Sequence, residues 1–337
     1  MDSILDKLYA GQHLDFDEAR GAMGELMAGR ASDAETAAFL VSLKIKGETP
    51  SEIAGAARAM QDAAVPVRCD VEPLLDTCGT GGDGHHTINV STASALLLAA
   101  AGITVAKHGN RAVSSRSGSA DVLEELGVVL TLGPEANAKL LDEVGIAFMF
   151  APAYHTAMKN VMPVRQALKT RTIFNLLGPL CNPARPTAQV LGVFSEHLLK
   201  PMALALKDMG VARAFVVHGS GLDEIGLHGT TNVIEVDGDR LSEFTIDPQD
   251  LGVAGAPISE LKGGDAEENA KKLRDILGGR VRGPGARAVA LNAAAGLVLA
   301  GKQTHWRDAY GRARHLLASG AGEKLLDRWV EASKDLA

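Results

Sequence analysis

Asp76-Thr77-Cys78-Gly79-Thr80-Gly81-Gly82-Asp83-Gly84 follows a short apolar run, Leu74 to Cys78, and precedes a helical pattern from Thr92 to Ala101. Strand, glycine-rich turn and helix in that order open an α/β unit, and such a turn is where the unit holds a ligand. Four glycines let the backbone fold back with its N–H groups converging, which holds an anion without a charged side chain. The helix N-terminus adds partial positive charge. Gly79, Gly81 and Gly84 also satisfy G-x-G-x-x-G, the dinucleotide fingerprint. That fingerprint needs an acid after the next strand to hold ribose hydroxyls. No Asp or Glu lies between Asp83 and Asp121.

The next strand, Thr104 to Lys107, runs instead into Lys107-His108-Gly109-Asn110-Arg111 and then Ser114-Ser115-Arg116-Ser117-Gly118-Ser119, a cluster of cations and hydroxyls. Parallel sheets bind ligands at the carboxyl ends of their strands, so both loops should line one crevice suited to several phosphates. A further strand, Ala214 to His218, ends in Gly219-Ser220-Gly221-Leu222-Asp223-Glu224. Its adjacent carboxylates read either as a solvated turn or as ligands for Mg²⁺, which prefers oxygen donors and keeps waters while bridging phosphates.

Strands are also expected at Ala147 to Phe150 and Gln189 to Phe194, with helices at Asp121 to Leu126, Glu135 to Glu143 and Leu198 to Met209. Asn232 to Thr245 reads as strand around an Asp237-Gly238 turn, and Ala266 to Ala337 as helical. Ala254 to Pro257 and Gly279 to Gly285 read as ordinary turns or surface loops. Upstream, the apolar spacing over 2–64 predicts four short helices, with Asp33 and Ser51 as N-caps. The pattern changes between Pro66 and Pro73. The fold class is therefore α/β: a small all-helical N-terminal domain, then a larger α/β domain with a mostly parallel central sheet and a helical C-terminal tail.

Composition agrees with an enzyme of this class. The 337 residues are 46% hydrophobic but 4% aromatic, with 37 glycines. A net charge of −7 opposes general nucleic-acid affinity while leaving room for a local basic pocket. Cys69, Cys78 and Cys181 match no metal spacing and read as reduced thiols. The acidic start, with Asp2 and Asp6, is unlike a secretory segment, and the apolar stretch from Ala93 to Val105 is too short to span a bilayer. A cytoplasmic protein without membrane or nucleic-acid partners is expected.

Six motifs together resemble the anthranilate phosphoribosyltransferase family: Asp76 to Asp83, Asn89-Val90-Ser91-Thr92, Lys107 to Ser115, Ser117 to Val122, Arg171 to Pro179, and Gly221 to Glu224. The resemblance runs nearly the whole chain. It implies transfer of a phosphoribosyl group from 5-phosphoribosyl 1-pyrophosphate to anthranilate, in tryptophan biosynthesis. It further implies a helical domain over 1–70, rejoined by a hinge segment at 165–185, a phosphoribosyl pyrophosphate-binding domain over 71–337, and a homodimer formed through the helical part. Carried over by motif, Gly79, Gly82, Asp83, Thr87, Asn89, Val90, Ser91, Thr92, Lys107, His108, Gly109, Asn110, Arg111, Ala112, Val113, Ser114, Ser115 and Ser119 would bind phosphoribosyl pyrophosphate. Gly79, Asn110, His155, Arg165 and Gly178 would bind anthranilate. Ser91, Asp223 and Glu224 would serve Mg²⁺, two ions by resemblance.

The chain departs from the pattern at Lys169, where Gly is common, and at Asn160, where His is frequent; both bear on the hinge. Gly226 and Thr230 replace commoner Ser and Pro after the acidic pair. The rival functions are a pyrimidine nucleoside phosphorylase of similar fold, and a non-catalytic nucleic-acid-binding relative with a basic groove and eroded metal ligands. Arg165 favours an acid-bearing aromatic acceptor over a pyrimidine.

Among single residues, His85-His86 reads as part of the loop rather than a metal pair, because adjacent side chains diverge and no third ligand is near. Cys78 reads as a packing residue, since the transfer needs no covalent nucleophile. His155 has two readings, substrate contact or core hydrogen bond. Trp306 and Trp329 read as packing.

Overall fold

The computed structural model describes residues 1–112 and 116–337. Helices Asp2–Tyr9, Phe16–Met27, Asp33–Lys46 and Pro50–Ala63 form the N-terminal part. Neither expected N-cap is in the cap position. Asp33 is already the first helical residue, and Ser51 lies inside the last helix. The caps are Ser32 and Thr49, each in a reciprocal box with the glutamate three residues on, Glu35 and Glu52. The box satisfies donors at both ends of the first turn, which a lone Asp or Ser one or two residues later cannot do; a cap is worth about 1 kcal/mol. Glu52 is fully buried and also accepts from Leu14 N–H at 2.9 Å and Lys46 Nζ at 2.8 Å, so one carboxylate ties three segments.

Seven strands follow: β1 Leu74–Gly79, β2 Thr104–Gly109, β3 Ile146–Phe150, β4 Ala188–Gly192, β5 Arg213–His218, β6 Thr231–Asp237 and β7 Arg240–Ile246. They form one sheet in the order β3-β2-β1-β4-β5-β6-β7, parallel through β5 and antiparallel for the last two. The chain winds outward from β1 to β3, then starts again on the other side at β4. The carboxyl ends of β1 and β4 therefore border the topological switch point, where open α/β sheets leave a crevice.

Helices Val90–Ala100, Pro284–Leu299 and Ala321–Asp335 share one core with the sheet, in which Leu96, Leu97, Val289 and Leu326 are buried. The opposite side of the sheet contributes Leu191, Val216 and Ile234 to a second core. Helix Leu199–Asp208 lies there, joined by Met23, Phe39 and Ile53 from the N-terminal helices and by Val164, Phe174, Leu177 and Cys181. Residues 161–181 thus pack with the N-terminal helices although they lie more than ninety positions downstream of them in the chain. Among the described residues no helix is long and apolar enough to cross a membrane.

Candidate active site

Gly79 and Gly192 are partners at the ends of β1 and β4. A Cβ on either would run into Asp223, so the pair of bare strand ends is what lets the Asp223 backbone lie across the switch point. From there Asp223 Oδ2 accepts the Gly81 N–H at 2.7 Å, and Glu224 Oε1 accepts the Ser91 N–H at 3.1 Å. Asn292, from helix Pro284–Leu299, anchors the next residue at both ends: its Oδ1 accepts Ile225 N–H at 2.9 Å and its Nδ2 donates to Ile225 O at 3.0 Å.

The acids are held against their own repulsion. Burial, then the neighbouring Asp83, pushes the Asp223 carboxyl up from its ordinary value; burial, then Asp223, does the same to Glu224, against the pull of Lys107. Crowded carboxylates beside the Ser91 hydroxyl are an oxygen-only donor set in want of positive charge, which fits Mg²⁺. Among the described residues no three His, Cys, Asp or Glu side chains converge as a closed metal cage. Mg²⁺ is ordinarily held by one or two carboxylates together with substrate phosphates.

The glycine turn reaches the left-handed region at Gly81, Gly82 and Gly84, with φ of 67°, 84° and 79°, which is why side chains are excluded there. Arg171 fastens it from outside: Nη2 donates to Gly82 O at 2.9 Å while the guanidinium lies 4.3 Å from the Phe194 ring centre. Thr87 bridges to Lys262. Asn89 caps the helix without a side-chain cap bond, because its amide instead joins Ser117 O at 3.4 Å and Asn269 Nδ2 at 3.0 Å. Thr92 Oγ1 is buried with no hydrogen-bond partner, an orphaned donor in the first turn. Val90 is buried in the core and its N–H goes to Ile88 O.

Backbone pairing between β1 and β2 stops after Leu75, and side chains take over. Asp76, fully buried, accepts from His108 N–H at 3.2 Å and from Asn182 Nδ2 at 3.0 Å. Lys107, 2% exposed, donates to Thr77 O at 2.5 Å and reaches Ser91 Oγ at 3.4 Å. Its charge pulls down on both buried acids, Asp76 and Glu224, against the burial that raises them. Gly109 has no room for a side chain against Ser119 Oγ and Phe148. Ser119 Oγ donates to Asn110 O at 3.4 Å. Two motif residues are already engaged: the Arg111 guanidinium is paired with Asp121 and Glu124, and Ala112 N–H donates to Asp121 Oδ2 at 2.9 Å. Val113, Ser114 and Ser115 lie outside the described residues.

His108 and His155 meet edge to face, ring centres 5.3 Å apart. His108 Nδ1 is 3.0 Å from Gly178 O, so it is the protonated nitrogen and donates. Burial, then the neighbouring His155, takes His108 down to about 3, and burial takes His155 down to about 4. Both rings are neutral at pH 7, and each keeps a buried Nε2 without a partner. Both readings of His155 therefore have a basis: a backbone bond to Cys181 on one side and an unpartnered nitrogen on the other. Arg165 lies over Phe174, 4.7 Å from its centre, half-buried and with no ion pair among the described residues. A cation left without a carboxylate beside an apolar ring is suited to an aromatic acid.

Sequence reading missed Asn182, Arg171 and Asn292 as supports. Their partners are 106, 89 and 67 positions away, and no local spacing signals such contacts. Cys78 is packed against Gln189, and burial pushes its thiol well above the usual range, so it is no nucleophile. Trp329 is buried, and Trp306 packs on Phe215 and Phe244.

Residues 71–323 match the glycosyl transferase family a/b domain, and residues 2–64 the helical bundle domain of the same family. The chain is 50% identical to an anthranilate phosphoribosyltransferase of Idiomarina loihiensis, over 94% of each chain. It superimposes on the crystal structure of the Thermus thermophilus anthranilate phosphoribosyltransferase with a TM-score of 0.94 at 48% identity, covering 98% of this chain and 99% of that one. The Saccharomyces cerevisiae enzyme in complex with PRPP and Mg gives a TM-score of 0.91 at 26% identity, covering 99% and 97%. With helical bundle, sheet order and acid pair all in place and half the residues shared across nearly the full length, the chain belongs to the anthranilate phosphoribosyltransferase family.

Proposed function

We propose that the crevice transfers the phosphoribosyl group of 5-phosphoribosyl 1-pyrophosphate to anthranilate, giving N-(5-phosphoribosyl)anthranilate and pyrophosphate. The observation that carries it is the pair of hydrogen bonds by which Asp223 and Glu224 reach Gly81 and Ser91, drawing acid pair, glycine turn and helix N-terminus around one space. The C1–O bond to pyrophosphate breaks with its electron pair leaving on oxygen, the anthranilate nitrogen bonds to C1, and the amine gives up one proton to solvent. Mg²⁺, when bound, neutralises charge on the departing pyrophosphate. The Gly79 to Asp83 turn, Asn89, Ser91, Thr92, Lys107 and Ser119 hold the phosphoribosyl pyrophosphate, using donors fixed before substrate arrives. Asp223, Glu224 and Ser91 would hold the Mg²⁺.

Arg165 grips the anthranilate carboxylate with two parallel hydrogen bonds, while Asn110, Gly178 and the neutral His155 orient the ring. The amine is unprotonated at pH 7, so positioning outweighs a strong base. The packing of Phe174, Leu177 and Cys181 with the N-terminal helices supports a helical unit of 1–70 with 165–185 beside the α/β unit of 71–337. Tyr9, Ile45 and Val65, exposed apolar side chains on the helical unit, support a homodimer formed through it. The setting of this reaction is the cytoplasm.

Pyrophosphate release distinguishes this reading from the phosphorylase. Release with anthranilate and no cleavage of a pyrimidine nucleoside by orthophosphate is expected; the reverse would sink the proposal.

A further inference from the structure

The stretches that read as surface loops, 254–257 and 279–285, both border a cavity of about 550 Å³ among the C-terminal helices. Helix Pro284–Leu299 begins at its edge, and helix Trp306–Ala318 supplies one wall. None of the lining residues belongs to the crevice described above. Its lining holds Arg282, Arg287, Arg314 and His315, and no acid.

The contrast with neighbouring arginines is informative. Arg274 is paired with Glu323 and Asp327, and Arg280 with Asp275 and Glu323. Among the described residues Arg282, Arg287 and Arg314 have no such partner. Arg287 Nε is buried without a hydrogen-bond partner, and Arg314 lies 5.8 Å from the Tyr310 ring centre. The helix that opens at Pro284 has no side-chain cap, since Gly283 precedes it; Pro284 brings no N–H and the Arg287 N–H donates to Gly283 O at 3.2 Å, so the arginine side chains are the donors this edge offers. Three guanidinium groups thus border one concavity, Arg282 and Arg314 exposed and Arg287 half-buried, with no acid in its lining.

Charge and size together define the occupant. Unpaired guanidinium forks on one concavity suit a doubly charged phosphate oxyanion. A bare phosphate would leave most of the volume empty, whereas ligand pockets of this size hold small organic molecules. Val281, Leu317 and Ala318 supply an apolar wall. We propose that this cavity is a second small-molecule site, for a phosphate-bearing organic anion, with the phosphate on Arg287 and Arg314 and the organic part against Val281 and Leu317.

Calorimetric titration of the full chain with phenyl phosphate, inorganic phosphate and benzoate tests this. Phenyl phosphate should bind at least about tenfold more tightly than either of the others, and Arg287→Gln with Arg314→Gln should weaken it at least about tenfold. Arg282→Glu, at an exposed position where folding is not at stake, should weaken it several-fold and decides the matter should the double variant fail to fold. Phenyl phosphate affinity unchanged by these substitutions would assign the binding to the crevice and overturn the proposal. Absence of binding, or benzoate binding as tightly, would overturn it equally.

Discussion

Ser91 and Glu224, 133 positions apart, meet through one hydrogen bond, the Ser91 N–H donating to Glu224 Oε1 at 3.1 Å. The bond satisfies a helix N-terminal donor, yet it holds the carboxylate beside Asp223 and away from water, where burial and repulsion raise both groups. The arrangement sacrifices stability for charge. Asp223→Asn with Glu224→Gln is expected to raise the melting temperature in metal-free buffer by a few degrees while lowering turnover at least about a hundredfold. Loss of stability together with activity would mean the acids are structural.

Gly79 sets a steric test of the same relationship. In Gly79→Ala the new methyl meets the Asp223 carboxylate, so the acid must move off the switch point. A fall of about a hundredfold in kcat/KM, with the circular dichroism spectrum retained, is expected. Wild-type kinetics would show that Asp223 is free to relocate.

Arg165 has Phe174 beneath it and no carboxylate partner among the described residues. Arg165→Ala should raise the KM for anthranilate about tenfold or more and leave that for phosphoribosyl pyrophosphate nearly unchanged. Lysine should not restore it, since a point charge does not reproduce the planar fork. Equal loss toward both substrates would assign Arg165 to packing.

His108 and His155 make acid stability a readout. Their folded values, about 3 and about 4, lie below the ordinary 6.5, so between these limits the unfolded chain binds more protons than the folded one. Their contribution is complete above pH 6.5 and declines as pH falls toward 4 and then 3. His108→Gln should flatten the dependence of the melting temperature on pH across that window. An unchanged slope would mean the ring is accessible to protons in the native state.

How much of this was legible depends on whether the signal was local. The glycine turn, the strand-helix alternation and the Asp237-Gly238 hairpin announce themselves within a few residues, and the structure has β1 starting at Leu74 and the hairpin at β6 and β7. The helix starts were misplaced because Ser32 and Thr49 act only through Glu35 and Glu52, a pairing that must be read as a unit. Lys107 gave a cation but not its burial against Thr77 O and Ser91 Oγ, which depends on strands meeting across the sheet. Arg111 is carried over by motif as a substrate contact, and nothing local announces that Asp121 and Glu124 pair with it from the next helix. The arginine-lined cavity left no trace at all, since Arg287 and Arg314 come together only by packing of two helices.

Anthranilate fluorescence followed in four mixtures tests phosphoribosyl transfer most directly: enzyme with anthranilate and either phosphoribosyl pyrophosphate or Mg²⁺ alone, with both, and with both after Asp223→Asn and Glu224→Gln. The fluorescence should fall only in the complete wild-type mixture. A steady signal there, or an equal fall without Mg²⁺, would contradict the account.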